Sequence, residues 1–144
     1  LHQQAGSVAI TEIHGSRVKL RCIGCNTRWP VDDFTIEEIP PKCPRCGGMV
    51  KSDTVMFGEP IPRDALEECI RQTRMCDCML LVGTSGVVYP AAGFPQDVKM
   101  SGGTLIEFNL NETTLTPLCD IILRAPTGTS LPLLVERVRQ LAAA

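Results

Sequence analysis

Two cysteine pairs constrain this chain more than any other feature: Cys22-Ile23-Gly24-Cys25 and Cys43-Pro44-Arg45-Cys46, with seventeen residues between them. Each CxxC segment forms a tight turn carrying two soft thiolates, and two such turns supply the four ligands of one tetrahedral Zn²⁺. Four protein ligands leave no open coordination position, so the expected zinc holds structure and does not activate water. The alternatives for these cysteines are disulfides or unligated core thiols.

The surroundings of the pairs fit a small ribbon. Residues 17–21 alternate Arg17, Val18, Lys19, Leu20, Arg21, the period-2 pattern of a half-buried strand running into the first pair. Trp29-Pro30, an acidic and apolar stretch around Asp32 to Ile39, and Pro40-Pro41 suit a loop crossing the metal site. Gly47-Gly48 supplies the tight turn after the second pair. The zinc module is therefore expected over 17–52, inserted between residues 1–16 and a larger region, 53–144.

That larger region reads as α/β. Leu66, Cys69, Ile70 and Thr73 share one helical face, and Cys78 to Val82 is a continuous apolar run, the mark of a strand buried on both faces of a parallel sheet. The loop Gly83-Thr84-Ser85-Gly86, a helix over about 91–101 and a strand from Thr104 to Phe108 complete a βαβ unit. Cys119 to Leu123 predicts a third strand. A closing helix from about Ser130 carries Leu131, Leu134, Val135, Val138 and Leu141 on one stripe. The fold class is thus part of a Rossmann-like parallel sheet with an inserted four-cysteine zinc ribbon. Ligands of such sheets bind beyond the carboxyl ends of the strands, where Gly83, Thr84, Ser85 and Asn109 fall; a small-residue loop after a strand is also common as plain turn chemistry.

Composition narrows the partners. A formal charge of −2 lacks the basic excess of a nucleic-acid-binding surface. The longest apolar region, Met79 to Pro95, is broken by Gly83, Gly86, Pro90, Gly93 and Pro95, so no membrane helix is expected. Eight cysteines without a signal peptide fit a reducing compartment such as the cytoplasm, with Cys69, Cys76, Cys78 and Cys119 as small buried hydrophobes.

Together, Leu1-His2-Gln3-Gln4-Ala5-Gly6-Ser7, Glu12-Ile13-His14-Gly15-Ser16, the two CxxC pairs, Phe57-Gly58-Glu59, Gly83-Thr84-Ser85, Val87-Val88-Tyr89-Pro90, Phe108-Asn109 and Leu131-Pro132 resemble the sirtuin family of NAD⁺-dependent protein deacylases. On that resemblance the family's amino-terminal half, with its GAGxS loop and TQNID motif, would precede Leu1, and half the NAD⁺ site with it. The chain by itself would then be inactive, or a zinc-stabilised module that binds an acyl-peptide or ADP-ribose.

The resemblance also implies roles. His14 matches the catalytic histidine, and imidazole as a class titrates near neutrality, which suits a general base. Nicotinamide would leave from the ribose C1′ as the acyl oxygen attacks, and His14 would take a proton from the ribose hydroxyl that receives the acyl group. Val55, Phe57, Gly58 and Glu59 match the loop that grips an acyl-lysine peptide by strand addition, and Val87, Val88 and Tyr89 its facing strand. Gly83, Thr84, Ser85 and Asn109 would hold NAD⁺. Ser52, Thr54 and Ala125 depart from the family's usual residues, while Gly86 and Glu107-Phe108-Asn109 look more like the subgroup that removes succinyl or malonyl groups.

Overall fold

The computed structural model describes residues 2–143, and the chain divides into two compact units, residues 1–69 and 70–144. Leu1, the first residue of the stretch carrying the resemblance, lies outside the described residues.

In the first unit, strand β1 (Lys19–Cys22) lies between β2 (Arg28–Pro30) and β3 (Val50–Ser52) and runs antiparallel to both. The charged face of a half-buried strand should meet solvent, yet Arg21 is 7% exposed and Val18 63%. Near the first cysteine pair both faces of β1 are covered. Leu20, with Trp29 and Phe34, packs on a core made of Cys22, Cys43 and Val50. Arg21 is enclosed by acidic partners instead, through Asp53 and Glu59. Trp29 and Phe34 meet edge to face, with centroids 5.2 Å apart.

Helix α1 (Arg63–Met75) follows, as the spacing of Leu66, Cys69, Ile70 and Thr73 predicts, and Thr73 is its buried residue.

The second unit is a parallel sheet in the order β4 (Cys78–Val82), β5 (Thr104–Phe108), β6 (Ile121–Leu123). A 3₁₀ turn over Ala91–Gly93 leads into α2 (Phe94–Met100), which packs against β4 and β5 and completes the expected βαβ crossover. Central β5 is the best-buried strand: Leu105, Glu107 and Phe108 are all at most 1% exposed. The apolar run of β4 predicts burial on both faces, but within the described residues only Leu81 is buried, while Leu80 and Val82 are exposed. β4 is an edge of this three-stranded sheet, so it has one pairing neighbour where β5 has two. Likewise Cys78 is exposed and Cys69, Cys76 and Cys119 are only partly buried, unlike the core thiols expected.

Helix α3 (Thr127–Ala142) begins three residues before Ser130, because the amides of Thr129 and Ser130 both bond the Pro126 carbonyl and close a first turn ahead of Pro132. Of its apolar stripe, Leu131 and Leu134 are half-buried, and Val135, Val138 and Leu141 are exposed. No helix among the described residues is long and apolar enough to cross a membrane.

Candidate functional site

The four cysteines converge. Their sulfurs all lie within 4.8 Å of one another, with Cys22 to Cys46 at 3.5 Å and Cys25 to Cys43 at 3.7 Å. A tetrahedron with Zn–S bonds of about 2.3 Å has edges of about 3.8 Å, so the donor set fits zinc. Two similar knuckles build it. Four residues after the first cysteine of each pair the chain turns left-handed, at Asn26 (φ 59°) and Gly47 (φ 72°). In each case that residue's amide bonds the cysteine carbonyl, at 3.0 Å to Cys22 and 2.9 Å to Cys43. The amides two residues after each first cysteine, Gly24 and Arg45, point at the Cys22 and Cys43 sulfurs from 3.3 and 3.4 Å. Gly48 passes so close that a Cβ there would stand 3.2 Å from the Cys22 sulfur.

Electrostatics fit the same assignment. On their own the thiols conflict: hydrogen bonding to Thr27 lowers Cys25 to about 6, whereas Cys46, though the Gly48 amide favours its thiolate, is pushed up to about 12 by the other three sulfurs. A divalent cation removes the conflict by binding all four as thiolates.

The first unit also brings His14 to the loop that follows β3. The Val55 amide donates to the His14 carbonyl at 3.0 Å, and the His14 side chain is exposed. Next to it, Gly15 (φ 72°) crosses the Asp53 carbonyl so closely that a Cβ would lie 1.9 Å from that oxygen. Beyond Val55 the loop makes a turn, with the Glu59 amide bonded to the Met56 carbonyl and Gly58 at φ 80°. Phe57 projects from this turn at 95% exposure. The Glu59 side chain turns back and accepts from Arg21 at 2.9 Å, from Lys51 at 3.0 Å and from the Met56 amide at 3.0 Å. The Met56 amide first, then Lys51 and Arg21, hold its carboxyl below the usual range against the opposing effect of burial.

In the second unit, Gly83, Thr84 and Ser85 follow β4 and Asn109 follows β5. They lie together: the Gly83 amide bonds the Phe108 carbonyl at 2.9 Å, and the Asn109 side-chain amide donates to the Thr84 carbonyl at 2.8 Å. With Val87 and residues 111–114 they line a cavity of about 570 Å³, at the strand carboxyl ends where open α/β sheets take ligands. Val88 and Tyr89 are exposed beside it in sequence, and the Ala92 amide bonds the Val88 carbonyl at the start of the 3₁₀ turn.

Sequence reasoning took Glu107 only as a subgroup marker and missed that it fixes one wall of this cavity. Buried Glu107 accepts from Thr113 Oγ1 at 2.5 Å, from Thr116 Oγ1 at 2.7 Å and from Arg124 at 2.8 Å. Burial would raise its carboxyl, but these three donors outweigh it and hold Glu107 below the usual range. An acid inside an otherwise apolar strand, followed by two threonines and an arginine, is the signal that could have pointed to it.

The chain is similar in sequence and in fold to proteins of one known family. A sequence model of the Sir2 family matches residues 1–90. The NAD-dependent protein deacylase of Thermococcus kodakarensis is 43% identical over 99% of this chain and 58% of its own length. NAD-dependent protein deacylase 2 of Pyrobaculum aerophilum is 41% identical over 97% and 56% respectively. Among solved structures, an ADP-ribose complex of a mutant Sir2 homologue superimposes with TM-score 0.86 at 39% identity, over 99% of this chain and 57% of that one. A Sir2–p53 peptide–NAD⁺ complex gives TM-score 0.78 at 32% identity, over 95% and 58%. The chain thus spans a little over half the length of the relatives it matches, and on the strength of the family match, the shared fold and the four-cysteine zinc site it belongs to the Sir2 family.

Proposed function

We propose that the whole protein is an NAD⁺-dependent protein-lysine deacylase that transfers the acyl group to ADP-ribose with release of nicotinamide. The observation that carries the reading is the bond between the Val55 amide and the His14 carbonyl, which ties the candidate base to the candidate peptide loop within one unit. The relatives' names and their NAD⁺, ADP-ribose and peptide complexes support the same assignment.

NAD⁺ supplies the electrophilic ribose carbon and the leaving nicotinamide. The exposed imidazole of His14 takes the proton from a ribose hydroxyl. Val55 and Phe57 pack along the acyl-lysine stem, and free backbone groups of the 55–58 turn pair with the peptide as an added strand. The cavity at Gly83, Thr84, Ser85 and Asn109 receives the adenosine side. The acyl group is acetyl or an acidic chain such as succinyl or malonyl; Glu107, buried against Thr113, Thr116 and Arg124, does not decide between them.

The test is nicotinamide release by the full-length protein with acetyl-lysine and succinyl-lysine peptides. His14→Ala lowers turnover by about 10²- to 10⁴-fold while zinc content stays the same. Near-wild-type turnover in that variant would refute the role.

A further inference from the structure

Three cations stand side by side across the zinc-bearing sheet. Arg21 of β1 is in register with Arg28 of β2 on one side and Lys51 of β3 on the other. Like charges directly opposite one another destabilise a sheet, so this row needs anions to hold it. It has three. Asp64 bonds Arg28 at 2.9 Å, Asp53 bonds Arg28 at 3.2 Å and Arg21 at 3.0 Å, and Glu59 bonds Arg21 at 2.9 Å and Lys51 at 3.0 Å. Asp53 is 2% exposed and Arg21 7%, so the middle of the row is shielded from solvent; charge-assisted bonds there are stronger than at the surface. The acid on the Lys51 side is supplied by the loop that carries Val55 and Phe57.

We propose that Glu59 is a positioning residue, through which the zinc-bound sheet sets the conformation of the 55–58 turn that grips the peptide. This rests on the peptide-loop assignment above. Arg21 precedes the ligand Cys22 directly, and Lys51 follows Val50, whose side chain packs on Cys22 and Cys43. The metal therefore fixes the strands that carry both cations. Glu59 converts that order into loop geometry by accepting the Met56 amide on the same oxygen that meets Lys51. Both carboxylate oxygens are engaged within the unit: Oε1 by Arg21, and Oε2 by Lys51 and the Met56 amide.

The decisive variant is Glu59→Gln in the full-length protein. A glutamine sets its NH₂ either against Arg21 or against Lys51 and the Met56 amide, so donor meets donor in both orientations. We expect zinc to remain at one equivalent, the KM for the acyl-lysine peptide to rise about tenfold or more, and the KM for NAD⁺ to stay within twofold. Hydrogen exchange at the Met56 amide should accelerate by about tenfold or more, and zinc removal from the wild type should accelerate the same amide. Lys51→Met, run in parallel, removes one contact to Oε2 together with the bonds from Lys51 Nζ to the Ser52 and Thr54 carbonyls, leaves the Arg21–Asp53 pair, and should show the same pattern. Glu59→Asp keeps the charge and should recover part of the peptide affinity. An unchanged peptide KM and unchanged Met56 exchange in Glu59→Gln with zinc retained would overturn the proposal, as would a fall in kcat with both KM values unchanged. If the wild type lacks deacylase activity but Met56 exchange responds to zinc and to Glu59→Gln as described, the coupling stands and the deacylase reading fails.

Discussion

Gly15→Ala tests how the candidate base is held. Gly15 has φ 72°, and an added Cβ would stand 1.9 Å from the Asp53 carbonyl oxygen and 2.7 Å from its carbon. Left-handed backbone costs a non-glycine residue about 1–2 kcal/mol. Relieving the overlap moves the His14–Gly15 turn or Asp53 by roughly 1 Å, and overpacking of that kind costs a further 1–3 kcal/mol or so. The loss is then about 2–5 kcal/mol, with Asp53 dragged from its bonds to Arg21 and Arg28. Gly58→Ala is the matched control: its φ is 80°, but no atom lies within 4 Å of the added Cβ. It should cost only the backbone contribution of about 1–2 kcal/mol, reduced by the lower entropy of the unfolded chain. Trp29 is the one tryptophan of the chain and sits in the same unit, so urea unfolding followed by its fluorescence reads both variants. If Gly15→Ala proves no more destabilising than Gly58→Ala, the close approach to Asp53 is not what fixes this turn.

Other outcomes follow from the same geometry. Protein purified without chelator should carry one zinc per chain, and Cys43→Ser should lose it together with the Trp29 signal of the folded ribbon; elemental analysis finding no metal would sink the assignment. Arg124→Met should cost about 1–3 kcal/mol and weaken ADP-ribose binding by the full-length protein, because Glu107 keeps only its two threonine donors and the 113–116 wall loosens; calorimetric titration at wild-type affinity would contradict this. The pH dependence has a definite sign. Glu107 has a folded carboxyl below its usual range, so it stabilises fully above about pH 4.3, its ordinary value, and the contribution is lost as pH falls through the folded value. Glu107→Gln should therefore flatten the acid limb of stability in the unit that carries no zinc ligand, as followed by hydrogen exchange of β5; an acid limb as steep as the wild type's would exclude the role.

Much of this was legible in the sequence because it is written locally. Each metal ligand pair lies within four residues, and the α1 face and the βαβ order follow from hydrophobic periodicity and run length. Burial was less legible. The apolar run of β4 records what such a strand buries in a wide sheet covered on both faces; among the described residues β4 pairs with β5 alone, and that burial is not reached there. Long-range polar partners were invisible. Arg21 reads as the outer residue of an alternating strand until Asp53 and Glu59, thirty-two and thirty-eight residues away, close over it. Glu59 reads as a peptide-contacting residue because it shares a motif with Phe57, yet its carboxylate turns inward. Glu107 escaped for the same reason: its donors lie six, nine and seventeen positions downstream, brought together only by the turn after β5.

The ribbon's core is its own ligand set, since Cys22, Cys43 and Val50 are the buried residues around which Leu20, Trp29 and Phe34 gather. Stability there is concentrated at two fixed points, and the connector between them is largely relieved of it: of residues 31–40, all but Phe34 are exposed. With its ends pinned, doubling such a connector costs only about 0.6 kcal/mol of closure entropy. Residues 35–40 are accordingly where this chain can accept an inserted sequence, an epitope or a purification handle, without disturbing the metal beneath it.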